Sequence, residues 1–132
     1  MAAMQKKSGI HLAHIYLQPA PTAQETGGAS DYDFVAPLDA QGRLDAEAWK
    51  RDRALCFVHR LEGGEIVARG LLVHRPGGAG GGTWAFDYEP GLGDEDSGFH
   101  FEARIFAPGE YVSVRDADGK MHTCRVSTVK PA

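Results

Sequence analysis

Six histidines and two cysteines hold most of the proton-transfer and metal-ligating capacity of this 132-residue chain. Imidazole titrates near neutral pH and binds zinc readily, so what matters is which histidines can meet. The strand patterns turn His59, His74 and His122 inward. Trp84, Phe86 and Tyr88 occupy every second position of one short segment and form an aromatic stripe that could line a ligand cavity. If their strands are neighbours, the three imidazoles could hold a metal such as zinc or shuttle a proton beside that stripe. If not, each is a separately hydrogen-bonded histidine. His100 and Glu102 share one face of an alternating stretch and could work as an acid/base pair, or stand as an exposed polar ladder. His11 and His14 are three residues apart, and on a strand such residues point to opposite faces, so they do not share an ion.

No complete catalytic motif accompanies these residues. The chain has no G-x-S-x-G elbow and no C-x-x-C spacing. Cys56 and Cys124 both lie in apolar, strand-like runs and read as reduced interior thiols. The glycine loop at 75–83 lacks the Lys-Ser/Thr of a phosphate-binding loop and leads into a strand, so it reads as a hairpin connection. Asp94, Glu95 and Asp96 lack the spacing of a calcium loop and read as a solvated acidic turn within 90–98. No metal and no cofactor is assigned from the sequence.

The formal charge of −4 argues against nucleic acid, which asks for a basic surface. No window is apolar enough to span a bilayer as a helix. The expectation is a soluble, cytoplasmic protein that meets a small molecule or another protein, a second copy of itself included.

The elements that must position these residues begin with the hairpin at 109–129. Runs 111–116 and 120–129 flank Ala117-Asp118-Gly119. A two-residue loop would mix polar and apolar residues on both faces. A three-residue loop, with Gly119 left-handed in a G1 bulge, gathers Val112, Val114, His122, Cys124 and Val126 on one face. That register opposes Val114 to His122 and Val112 to Cys124. It turns His122 in and Arg115 and Arg125 out.

Runs 54–61 and 66–74 form a second hairpin around Gly63-Gly64. A two-residue loop opposes Leu61 to Ile66, His59 to Ala68 and Phe57 to Gly70. The better core face then carries Phe57, His59, Leu61, Leu72 and His74. The opposite face holds Cys56, Val58, Leu71 and Val73, is interrupted by Arg60 and Arg69, and could serve as an interface between copies.

Further strands are expected at 10–17, 32–36, 83–89 and 99–106, the last with Phe99, Phe101, Ala103 and Ile105 on one face. One short α-helix is expected at about 45–53, with Asp45 as N-cap, Leu44 and Trp49 as a hydrophobic staple, and Trp49 as its anchor. The whole reads as mainly β, a small antiparallel β-barrel or sandwich of about 7–8 strands. Residues 1–9 read as a flexible tail and 10–132 as a single domain with a mobile loop at 19–31. The function expected of such a chain is a non-catalytic binding or interaction module. The alternative is a small-molecule or metal-binding barrel, conceivably an enzyme, with the inward histidines and the aromatic stripe as its site.

Overall fold

The computed structural model describes residues 11–20, 30–76, 82–88 and 95–132. The tail at 1–9, most of the loop at 19–31, most of the glycine loop at 75–83 and the start of the acidic loop at 90–98 lie outside them. Eight antiparallel strands close into a barrel in simple chain order, the last pairing with the first. They are β1 (His11–Pro19), β2 (Asp31–Leu38), β3 (Phe57–Glu62), β4 (Glu65–Arg75), β5 (Thr83–Tyr88), β6 (Glu95–Phe99), β7 (Tyr111–Arg115) and β8 (Met121–Pro131). Closure gives each of the eight described strands two partners. No helix among the described residues is long and apolar enough to cross a membrane.

The β7–β8 hairpin has the register that its apolar face demands. Val114 opposes His122, Val112 opposes Cys124 and Tyr111 opposes Arg125. Gly119 is left-handed, with φ of 85°. Asp116 braces the turn, its Oδ1 accepting from the amides of Asp118 and Lys120 at 2.9 Å each.

The β3–β4 hairpin corrects the expected facing. Gly63 and Gly64 both have positive φ, and Leu61 opposes Ile66 as a two-residue loop requires. A bulge between Arg60 and Leu61 then shifts the pairing by one, so that Val58 opposes Gly70 and His59 opposes Arg69. A one-residue shift moves a whole strand to the other face. Cys56 and Val58 are therefore fully buried, Arg60 follows them inward, and Phe57 and His59 face outward. Strand β4 keeps its expected face, with Gly70, Leu72 and His74 opposite Tyr88, Phe86 and Trp84. Gly70 is needed here: a Cβ would sit 2.0 Å from the Asp87 carbonyl oxygen.

Residues 95–106 also depart from expectation. The strand lies at Glu95–Phe99, inside the expected acidic loop, and the chain then turns at His100, whose φ is 54°. A single 3-10 turn, Phe101–Ala103, replaces the expected strand at 99–106. Gly98 permits this, because a Cβ there would lie 2.3 Å from the Phe101 ring. Phe101 and Phe106 are buried while Ala103 and Ile105 are exposed, so the alternating face did not form. The Phe99 side chain lies outside the described set.

The one α-helix, α1 (Ala46–Asp52), begins at Asp45, whose carboxylate accepts from the amides of Glu47 and Ala48 at 3.1 Å each. A 3-10 turn, Arg53–Leu55, extends it. Trp49 is buried and donates its indole N–H to the Leu72 carbonyl at 2.9 Å. Its ring meets those of Trp84 and His74 edge-on, each at 6.0 Å. The aromatic stripe packs as core: Trp84, Phe86 and Tyr88 are all buried, and Phe86 touches the rings of Phe34 and Tyr32. With Ile15, Leu17, Leu72 and Val114, these rings fill the middle of the barrel. Cys56 and Cys124 are both buried, and burial pushes the Cys56 thiol up to about 11, which keeps it protonated and unreactive.

Candidate functional site

The strands place polar side chains inside one end of the barrel. Residues at the start of β2, the end of β3 and the β7–β8 turn meet there. Helix α1, reached from the far end of β2, closes the opposite end. Tyr32, Arg60 and Tyr88 face the axis by the same alternation that buries Phe34, Val58 and Phe86. Asp96 joins them because it opposes Phe86 across β5 and β6.

Asp96 is the one charged or polar residue in the buried set of the described chain, at 1% exposure. Its Oδ2 accepts from the Tyr88 hydroxyl at 2.8 Å and from the Tyr32 hydroxyl at 3.2 Å. Arg60 Nη1 lies 3.6 Å from the same oxygen, an ion pair longer than a hydrogen bond. The guanidinium carbon sits 5.5 Å from the centre of the Tyr88 ring, a cation–π contact. The Arg60 Nε is buried with no hydrogen-bond partner among the described residues.

These neighbours set one another's protonation. Burial pushes the Asp96 carboxyl up, opposed by Tyr88, Arg60 and Tyr32. Burial first, and the Asp96 charge second, hold both phenols far above the usual tyrosine range. They remain protonated donors at any physiological pH. Burial works against the Arg60 cation, but Tyr88, Asp96, Tyr32 and Glu62 together outweigh it and its pKa rises.

Above this cluster opens a pocket of about 330 Å³, lined by Ser30, Tyr32, Arg60, Glu62, Asp96, Asp116, Ala117, Asp118 and His122. On one wall His122 Nε2 and Asp116 Oδ2 are 2.7 Å apart. That bond, followed by the turn amides of Lys120 and Asp118, holds the Asp116 carboxyl below its usual range. Ser30 donates to Glu62 at 3.3 Å. Among the described residues the lining sets four carboxylates, Glu62, Asp96, Asp116 and Asp118, against the one guanidinium of Arg60.

The histidines of the sequence reading are distributed, not gathered. His122 lines the pocket. His74 lies at the opposite end, its ring 4.5 Å from that of Trp84. His59 is on the outer wall, with Nδ1 3.8 Å from Asp33 Oδ2, and His14 contacts the other oxygen of the same carboxylate. Among the described residues no group of three or more His, Cys, Asp and Glu is arranged to hold a metal ion. All three residues of the aromatic stripe pack in the core, and Tyr88 reaches the pocket only through its bond to Asp96. His100 and Glu102 do meet, at 3.4 Å, across the turn after β6 and away from the pocket.

Tyr32, Arg60, Asp96 and Asp116 were not among the residues that the sequence singled out. Arg60 carried a signal: it interrupts the apolar alternation Cys56, Val58, and a charge on a core face is either paired or functional. Asp96 carried none, because its run reads as an exposed acidic loop. Comparison with protein families, with curated proteins and with solved structures finds no match.

Proposed function

We propose that this chain is a non-catalytic binding module that holds a small polar molecule in the pocket at the polar end of its barrel. The observation that carries this reading is the cluster of Asp96, Tyr32, Tyr88 and Arg60 at the base of the pocket. A barrel that needed only stability would continue its apolar core to this end, since a buried ion pair seldom stabilises more than well-packed apolar residues. Convergent polar groups in a concave site are instead the usual form of a ligand-recognition surface. The phenols support binding over proton transfer, because their raised pKa values keep them as donors.

One observation favours a second reading. His122 against Asp116 on the pocket wall is an imidazole oriented by a carboxylate, an arrangement that serves general-base chemistry. Under that reading the ligand is a substrate and His122 acts on it.

Native mass spectrometry of the untagged protein as purified tests the first reading. The expected spectrum shows additional non-covalent mass that is absent when Arg60→Met and Asp96→Leu are combined. Mass retained equally by the double variant contradicts the proposal.

A further inference from the structure

We infer that the pocket takes a compact zwitterion, with its oxyanion on Arg60 and its ammonium against the carboxylates of the rim, an inference that rests on the binding role proposed above. The argument starts from what the base of the pocket leaves unsatisfied. Both phenols are spent on Asp96 Oδ2, so that carboxylate is already well supplied with donors. Arg60 is not equally supplied with acceptors. Its ion pair with Asp96 is 3.6 Å long and its Nε is buried without a partner among the described residues. A guanidinium presents a planar fork of donors that matches a carboxylate with two parallel hydrogen bonds. It is the natural seat for an oxyanion entering the pocket.

A purely anionic ligand does not fit the remainder. Among the described residues of the lining the carboxylates outnumber the guanidinium, and Glu62 and Asp118 stand exposed. Glu62 is two residues beyond Arg60, about 6.6 Å along the strand. A ligand that brings a carboxylate to Arg60 therefore brings its other end to Glu62 and Asp118, where an ammonium is attracted. A purely cationic ligand would satisfy the rim and leave Arg60 as it is. Size narrows the choice further. A pocket of about 330 Å³ lies at the small end of ligand sites, which run from about 300 to 1,000 Å³, and suits a free amino acid better than a nucleotide or an oligomer.

The test uses three matched probes on the full chain: L-alanine, L-alaninamide with only the ammonium, and N-acetyl-L-alanine with only the carboxylate. Binding is read by calorimetry and by amide shift changes in 15N-labelled protein. L-Alanine is expected to bind at least about ten-fold more tightly than either analogue, since one lost charge-assisted hydrogen bond is worth about 1.5–3 kcal/mol. Arg60→Met should reduce L-alanine to the level of the amide, and Glu62→Gln with Asp118→Asn should reduce it to the level of the acetylated probe. Arg60→Lys keeps the charge and loses the fork, so an intermediate affinity separates recognition from misfolding. Equal binding of the amide, or of the acetylated compound, overturns the zwitterion. If none of the three binds but the purified protein retains another small molecule that Arg60→Met/Asp96→Leu releases, the zwitterion falls and the binding role stands. If neither occurs, both fall.

Discussion

At one end of the barrel Trp49 lies against Trp84 and His74 and donates its indole N–H to the barrel wall. At the other end Asp96, two phenols and Arg60 sit below an open pocket. The first end is closed by apolar area, the form of contact that stabilises a fold most directly. The second buries a carboxylate, which costs stability unless its partners repay it. The difference teaches where this chain gains stability from apolar packing and where it buries charge at a cost. The same strands serve both ends. Strand β4 brings His74 to the closed end, and β5 runs from Trp84 there to Tyr88, which bonds to Asp96.

The comparison can be broken first at the closed end. Trp49→Ala should cost about 3–5 kcal/mol, the usual loss for a large buried aromatic. Urea denaturation checks this, and a loss under 1 kcal/mol would show that α1 is an ornament on a barrel closed by other means. At the polar end Asp96→Leu and Arg60→Met should each cost about 1–3 kcal/mol, because each leaves its partner unpaired. Together they should cost less than the sum, since the one ion pair is lost only once, while the phenols of Tyr32 and Tyr88 still lose their acceptor. An additive double variant would mean that the polar cluster is a structural element in its own right. Asp45→Ala should cost about 1 kcal/mol by removing the N-cap of α1, again read by urea denaturation.

The smallest effect expected is a pH dependence. Asp116 has a depressed pKa in the folded protein, chiefly through His122. A depressed carboxylate contributes its full stabilisation above the unfolded value of about 3.9 and loses it as pH falls through the lower folded value. The wild type should therefore lose part of its stability below about pH 4, and Asp116→Asn should flatten that loss. Asp96 works with the opposite sign. Its raised pKa makes the charged form costly at neutral pH, and protonation on acidification relieves that cost. A urea-midpoint series from neutral to acidic pH on the Asp96→Asn and Asp116→Asn variants should separate the two slopes.

The fold was largely legible because strand periodicity and turn chemistry agree. In the β7–β8 hairpin only one register collects Val112, Val114, Cys124 and Val126, and Gly119 supplies the left-handed residue that it needs. Asp45 and Trp49 were legible for the same reason, since capping and anchoring are local. The β3–β4 hairpin was half legible. Its turn residues fix Leu61 opposite Ile66, but no local pattern in the sequence marks the register shift between Arg60 and Leu61. The site was legible only at His122. Asp96 enters the interior because β6 begins earlier than its acidic residues suggest, and that depends on pairing with both β5 and β7. Arg60 followed the bulge inward while His59 followed it out.

The most direct test of the account is a fragment screen by two-dimensional 15N–1H spectroscopy on the wild type and on the Arg60→Met/Asp96→Leu variant. The account predicts that polar fragments shift the amides of Tyr32, Arg60, Asp96, Asp116 and His122, and that these shifts vanish in a folded double variant. Hits that map instead to the outer groove at Phe57, Leu71 and Val73, or that persist unchanged in the variant, would contradict it.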